Sequence, residues 1–270
     1  MDFKTLEVAL ADGVATVNLN RPEAANAMNE AMWREIRAAM RWVDETPGAR
    51  VAVIGGRGKY FTSGIDLAML AQLKQRDAEA CDGRTRESLR RVILDLQDTL
   101  NSIERCRKPV IAAIHGACIG GGIDLVTCCD MRYASAEAFF SVKEVDVGLV
   151  ADVGTLQRLP RLVPDGIARE LAYTGRRFDA AEAKEIGLVN RVFDSADSLR
   201  AGVAQVAATI AAKSPLAIRG IKEIILYARD HSVADGLNYV ATWNAAMLVS
   251  ADLDEATSAG VEKRPAKFRD

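Results

Sequence analysis

An α/β layered core followed by a mainly helical region is predicted by three observations. Strand-like and helix-like patterns interleave from Phe3 to about Val192. From Asp197 onward the pattern is almost entirely helical. Within the first region, an apolar strand (Val110 to Ile114) runs into His115 to Asp152, which holds three glycines (Gly120, Gly121, Gly122) and acids in apolar surroundings. Strands alternating with helices call for sheet and helix layers, and a late helical run calls for a further layer. The expected division is residues 1–196 for the core and site, and 197–270 for the helical region.

Phe3 to Leu10 and Val14 to Leu19 alternate apolar and polar residues around Asp12-Gly13, a dipeptide that tolerates positive φ and so predicts a hairpin. Pro22 breaks the second strand, and Asn29 is the expected N-cap of a helix to about Glu45. Pro47-Gly48 ends it, and Val51 to Ile54 is a short buried strand. Gly55, Gly56, Gly58 and Gly64 predict an irregular loop before a helix from about Asp66. Residues 72–90 are polar with mixed charge and are predicted to be a mobile surface segment. A helix over Glu87 to Arg107 follows, with Leu89, Val92, Ile93, Leu96, Leu100 and Ile103 on one face. Val110 to Ile114 is a strand, and the run to Cys129 a buried helix.

Further on, helices are predicted over Gly154 to Leu162, Gly166 to Tyr173 and Ala180 to Ile186, and a strand over Leu188 to Val192. Asp197 to Ala212 reads as a helix, Pro215 to about Arg229 as a second behind a Ser214 cap, and Ser232 to Gly260 as further helix.

Composition narrows the function classes. Of 270 residues, 49% are hydrophobic, enough for a sizeable core. A net charge of −2 favours neither polyanions nor membrane surfaces, and no apolar run approaches the length of a membrane span. The start of the chain has no secretory or transit pattern, so the expectation is a cytoplasmic protein with no nucleic-acid or membrane partner. Five cysteines without ligand spacing and two histidines predict buried, reduced thiols and no metal. His115 reads as a packed core residue, Arg84, Arg86, Arg90 and Arg91 as a solvated helix face, and Trp33, Trp42 and Trp243 as core or interface residues.

Glycines between a buried strand and a buried helix let a ligand approach the backbone and leave N–H groups free at the helix start. Asp124, Glu144 and Asp152 are costly in apolar surroundings unless paired, hydrogen-bonded or used for proton transfer. Each has a plain alternative. Asp124 fits a first-turn acid satisfying backbone donors, and Asp152 fits an N-cap for a helix near Gly154. Glu144 fits a surface acid; strand parity separates it from Lys143 and puts Asp146 on its face as a rival.

Four segments, RPxxxNAM (Arg21 to Met28), FTSGIDL (Phe61 to Leu67), HGACIGGGIDL (His115 to Leu125) and KSP (Lys213 to Pro215), together resemble the crotonase, or enoyl-CoA hydratase/isomerase, superfamily over essentially the whole chain. Phe139 to Pro160 and Arg229 to Asn244 are most similar to its Δ3,5-Δ2,4-dienoyl-CoA isomerases. The resemblance implies a spiral of ββα units, a C-terminal helical trimerisation region, a homotrimer or homohexamer, and an acyl-CoA thioester substrate. It implies no cofactor, coenzyme A being part of the substrate. It places an oxyanion hole at the N–H groups of Ile65 and Gly121, and substrate contacts at Ser63, Gly64, Ile65, Asp66, Leu67 and Gly121. The implied reaction, within β-oxidation of unsaturated fatty acids, moves a proton from C2 to C6 of a 3,5-dienoyl-CoA through an extended dienolate. Asp152 is then the base, Glu144 the acid and Asp124 a supporting group. Family hydratases carry a small residue at 152 and glutamate at 124, so hydration of a 2-enoyl-CoA is the alternative. An RNA-binding relative on the same fold is disfavoured by the acidic balance.

Overall fold

The computed structural model describes residues 2–75 and 81–270. The chain opens with antiparallel strands β1 (Leu6–Ala11) and β2 (Val14–Leu19), paired to Ala11–Val14 so that only Asp12 and Gly13 form the turn. Both turn residues have positive φ, 49° and 80°, as a tight hairpin requires. Helix α1 (Glu30–Glu45) follows, and the Asn29 side chain accepts from Met32 N as the expected cap. The chain then adds β3 (Val51–Gly56), α2 (Leu67–Gln75), α3 (Asp82–Arg105), β4 (Val110–Ile114), β5 (Ala117–Ile119) and α4 (Gly121–Thr127). Of the surface segment expected at 72–90, residues 76–80 lie outside the described residues. The rest is helical at both ends, since α3 starts at Asp82 rather than near Glu87.

Next come β6 (Met131–Ser135), β7 (Phe139–Ser141), a 3-10 turn at Glu144–Val147, α5 (Thr155–Arg158), a second 3-10 turn at Leu159–Arg161, and α6 (Asp165–Thr174). After β8 (Phe178–Asp179), α7 (Ala180–Glu185) and β9 (Arg191–Phe193) the chain is helical: α8 (Ala196–Ala211), α9 (Pro215–Ala228), α10 (Val233–Met247) and α11 (Ala251–Glu262).

From β4 to β7 the chain alternates between two sheets, as a spiral of ββα units requires. The large sheet runs β1-β2-β3-β4-β6-β9, parallel beyond the hairpin, and the small sheet runs β5-β7-β8. The main core lies between the sheets under α1 and α3, where Met28, Met32, Ile36, Leu100, Ile103, Ile114 and Phe140 are essentially inaccessible. On the other face of the large sheet, Leu199, Val203 and Ala207 of α8 pack on Val51, Ile111 and Ala113. The expected division between 196 and 197 thus falls inside α8, a helix that belongs to the sheet layer. Helix α9 is tied on by buried Lys222, whose Nζ donates to Asp130 at 2.8 Å.

Two further readings change. Cys81 is exposed, while Cys106, Cys118, Cys128 and Cys129 are buried free thiols. The helical run to Gly260 is broken at residues 248–250, where Ser250 caps α11.

Candidate active site

The small sheet gathers the site. Gly120 N donates to Ser141 O at 2.9 Å, carrying the β5–β7 pairing one residue into the glycine run. Beside it, Thr62 N donates to Ala117 O and Ile119 N to Thr62 O, at 2.9 and 3.2 Å, so residues 61–66 dock along β5. Met28 N donates to Gly64 O and Asp66 N to Met28 O, at 2.8 and 3.1 Å, adding the loop before α1. Three stretches distant in sequence are thereby aligned at one sheet end.

That alignment leaves two donors unspent. The bonds around Met28 straddle Ile65, and α4 begins at Gly121, so neither the Ile65 nor the Gly121 N–H has a backbone acceptor among the described residues. They are close: a Cβ on Gly121 would lie 3.7 Å from Ile65 N, and one on Gly64 3.2 Å from Gly121 N. Gly64 has φ +91°, and a side chain there would meet Ile119 O at 2.7 Å, so this approach requires glycine. At its far end, α4 is closed by buried Arg132, which donates to Cys129 O and Val126 O at 2.6 and 3.3 Å. A cation on those carbonyls leaves the positive end of the helix directed at the free donors.

Asn26 explains part of the RPxxxNAM run. It is fully buried with φ 53°, accepts from Arg21 N, and donates to Arg57 O and Tyr60 O, each at 2.8 Å. The amide therefore stitches the first loop to the one that carries Ile65.

Three carboxyl groups follow the glycine junction. Asp124, in the first turn of α4, is inaccessible, and its Oδ1 accepts from Thr155 N at 2.6 Å. Glu144 opens a 3-10 turn three residues after β7, and its Oε1 would lie 3.4 Å from a Cβ on Gly120. The strand-parity reading of Glu144 therefore fails, because the chain has already left the strand. Lys143 instead pairs with Asp146, which removes Asp146 as a rival. Asp152 is no N-cap: α5 is preceded by Gly154 without a side-chain cap, and Asp124 takes the Thr155 N–H.

Burial, then the nearby Asp124 carboxylate, pushes Glu144 up to about 7. Burial also raises Asp124, to about 6, against the lowering effect of its hydrogen bond from Thr155. Asp124 Oδ2 and Glu144 Oε2 are buried acceptors with no donor among the described residues. One proton shared between them supplies the missing donor, so the pair holds a proton near neutral pH. Asp152 is exposed along the wall of a cleft of about 320 Å³, and partial desolvation raises its pKa as well. Its charge in turn raises both other acids.

The other expected contact residues divide. Ser63 N is spent on Ala25 O at 3.0 Å. Asp66 pairs with Arg21 at 3.0 Å and accepts from Ala68 N at the start of α2, so its carboxylate is committed to the fold. Leu67 is exposed. His115 is buried with Nε2 on Gly58 O, as expected of a core residue. The sequence reading missed Thr155, and also Gln97, whose Nε2 donates to Asp152 O at 2.6 Å. Gln97, Asn101 and Glu104 fall at helical spacing beside the apolar face of α3, a polar stripe that could have signalled a second contact surface.

Comparison with known proteins agrees with this geometry. The family model described as enoyl-CoA hydratase/isomerase matches residues 10–270. The peroxisomal Delta(3,5)-Delta(2,4)-dienoyl-CoA isomerase of Arabidopsis thaliana is 50% identical, over 98% of this chain and 97% of that protein. The mitochondrial enzyme of the same name from Homo sapiens is 47% identical, over 98% of this chain and 81% of that protein. The crystal structure of enoyl-CoA hydratase from Bacillus anthracis superposes with a TM-score of 0.89 at 31% identity, covering 98% of this chain and 99% of that one. These relatives overturn the expectation of a cytoplasmic protein, since the two isomerases are named for the peroxisome and the mitochondrion. With the two unspent donors at its glycine junction and a family match over nearly its whole length, the chain belongs to the enoyl-CoA hydratase/isomerase family.

Proposed function

We propose that the protein converts a 3,5-dienoyl-CoA into the 2,4-dienoyl-CoA. The observation that carries this reading is the buried pair Asp124 and Glu144, both raised by the charge of Asp152, together with the free N–H groups of Ile65 and Gly121. Relatives of that name at 47% and 50% identity support it.

In the reaction the thioester oxygen sits in the oxyanion hole made by the Ile65 and Gly121 N–H groups. Asp152, ionised, takes the proton from C2, and the electron pair delocalises over the dienolate to the thioester oxygen. Fixed donors stabilise that charge without reorganisation. Glu144, holding the shared proton, delivers it to C6. C2 and C6 are too far apart for one carboxyl to serve both, so two positioned acids replace a single shuttle. Turnover leaves Asp152 protonated and Glu144 ionised, and exchange with water resets the pair. Carboxyl groups and N–H donors carry every step, and coenzyme A enters as part of the substrate. The place of this reaction is the oxidation of unsaturated acyl chains.

Exposed apolar side chains on the last three helices, including Ile221, Ile225, Leu237, Leu253 and Val261, support a homotrimer or a hexamer of two trimers. Hydration of a 2-enoyl-CoA is the weaker reading, because Asp124 already commits Oδ1 to Thr155 N and shares its other oxygen's environment with Glu144. Purified protein given a 3,5-dienoyl-CoA should generate the conjugated 2,4-dienoyl absorbance, and a parallel 2-enoyl-CoA sample should change far more slowly. Rapid loss of the 2-enoyl signal with no dienoyl turnover would refute the isomerase reading.

A further inference from the structure

The segment that carries Asp152 is held by one face of α3. Gln97, Asn101 and Glu104 lie at i, i+4 and i+7 on that helix, and each reaches across to residues 152–158. Gln97 Nε2 donates to Asp152 O at 2.6 Å. Asn101 Oδ1 accepts from Arg158 Nη2 at 2.7 Å. Glu104 accepts from the same guanidinium twice, at 3.2 Å from Nε and 2.9 Å from Nη2. Arg158 and Glu104 are mostly buried, with side chains 13% and 16% exposed, so this fork is shielded from solvent competition.

The fork also shapes the backbone next to the acid. Gly154 has φ +136°, and a Cβ on it would fall 2.2 Å from Arg158 Nη1. The guanidinium therefore fills the space where a side chain would stand, and the chain passes directly over it. On the other side Thr155 N is fixed by Asp124 at 2.6 Å. Asp152 thus sits between a carbonyl pinned by Gln97 and a turn pinned by Arg158 and Asp124.

Glu104 has a second partner. Arg229, the C-cap residue of α9, also donates to its Oε1. Both guanidiniums hold the Glu104 carboxyl down at about 2, against the raising effect of its burial. Next to them Arg161 pairs with Asp230 at 2.8 Å, closing the cleft that Asp152 lines.

We infer that Glu104 is a positioning residue for Asp152, acting through Arg158, and that Arg229 links the C-terminal helices to that position. The functional half of this inference rests on the isomerase reading; the positional half does not. Among the described residues, the charged groups around Asp152 are Arg158, Arg161, Arg229 and Asp230 on the cleft wall, Glu104 behind Arg158, and Asp124 and Glu144, which the Asp152 charge reaches. Releasing the segment removes the partial desolvation that the cleft wall imposes on Asp152 and moves its titration toward the ordinary carboxylate range.

The test uses the full-length protein as Glu104→Gln, Arg158→Lys, Arg229→Ala and Gln97→Ala. Carboxyl 13C NMR titration should show the Asp152 midpoint lower in Glu104→Gln, with Asp124 and Glu144 close to wild type. The kcat for 3,5-dienoyl-CoA should fall about 10- to 100-fold with KM within about twofold, the signature of a misplaced reacting group. Arg158→Lys keeps the charge but not the fork, and should fall between the two. Arg229→Ala should lose about two- to fivefold. If Glu104→Gln does not fold, Gln97→Ala gives the same readout, since its side chain bonds only the Asp152 carbonyl among the described residues. Folded variants with an unchanged Asp152 midpoint would overturn the inference. A shifted midpoint in a protein whose wild type turns over no dienoyl-CoA would leave the positioning intact and sink the isomerase reading instead.

Discussion

Asp124 Oδ1 accepts a hydrogen bond from Thr155 N at 2.6 Å, so the acid of one helix caps the start of another. That single contact joins the glycine junction carrying Gly121 to the segment carrying Asp152. It also fixes one oxygen of Asp124 and leaves the other, Oδ2, buried beside Glu144 without a donor.

The first prediction follows from that orphan oxygen. The folded-state pKa of Asp124, about 6, is raised above its ordinary 3.8, so the folded state binds the proton more tightly than the unfolded chain. Stability from this group is therefore present below about pH 4 and lost as pH rises through 6. The cost above that is on the order of 2–3 kcal/mol, shared with Glu144. Asp124→Asn keeps the acceptor for Thr155 N and supplies an N–H₂ donor toward Glu144. Its advantage over wild type in denaturant unfolding should grow by about 1.4 kcal/mol between pH 5 and pH 8. A difference that does not change with pH would contradict the shared-proton account.

A second prediction separates two glycines. On Gly121, a Cβ would meet only the flexible end of Met28, Cε at 2.6 Å, while crowding the space in front of Ile65 N. Gly121→Ala should fold with nearly native stability yet lose about 100- to 1,000-fold in kcat, the usual cost of disabling one oxyanion donor. On Gly64 the obstacle is the rigid Ile119 carbonyl, and φ is +91°. Gly64→Ala should instead lower the melting temperature. If both variants behave alike in unfolding and turnover, the distinction drawn here is wrong.

Asn26 provides a third. Its side chain satisfies one backbone N–H and two carbonyls in a fully buried place. Asn26→Ala strands all three groups and should cost about 2–4 kcal/mol in unfolding free energy. Because the two loops it joins carry no charge change, the loss should be the same at pH 5 and pH 8. A loss that varied strongly with pH would point to a different cause.

Much of this was legible in local chemistry. Asp12-Gly13 announced the hairpin, Asn29 and Ser214 their helices, and the glycines on either side of the site their need for close backbone approach. What misled was reasoning that stayed within a few residues. Lys143, Glu144 and Asp146 were read by strand parity, but the strand ends at Ser141 and a 3-10 turn gives Lys143 to Asp146 at i, i+3. Asp152 had the spacing of a cap, yet Thr155 N is taken by an acid 31 residues earlier. The stripe of Gln97, Asn101 and Glu104 looked like an ordinary polar helix face. Its meaning depends on Arg158 and Arg229, respectively 54 and 125 residues from Glu104, and no local pattern carries that pairing.

The central claim, that Asp152 and Glu144 serve opposite ends of the substrate, is tested most directly by proton exchange in D₂O. A 3,5-dienoyl-CoA would be incubated with wild type, Glu144→Gln and Asp152→Asn, and deuterium at C2 and C6 followed by NMR. Wild type should give 2,4-dienoyl product deuterated at C6. Glu144→Gln should still exchange the C2 hydrogen of the substrate while forming product at least about 100-fold more slowly. Asp152→Asn should lose C2 exchange and product together. Loss of C2 exchange in Glu144→Gln, with exchange retained in Asp152→Asn, would contradict the assignment and reverse the two roles.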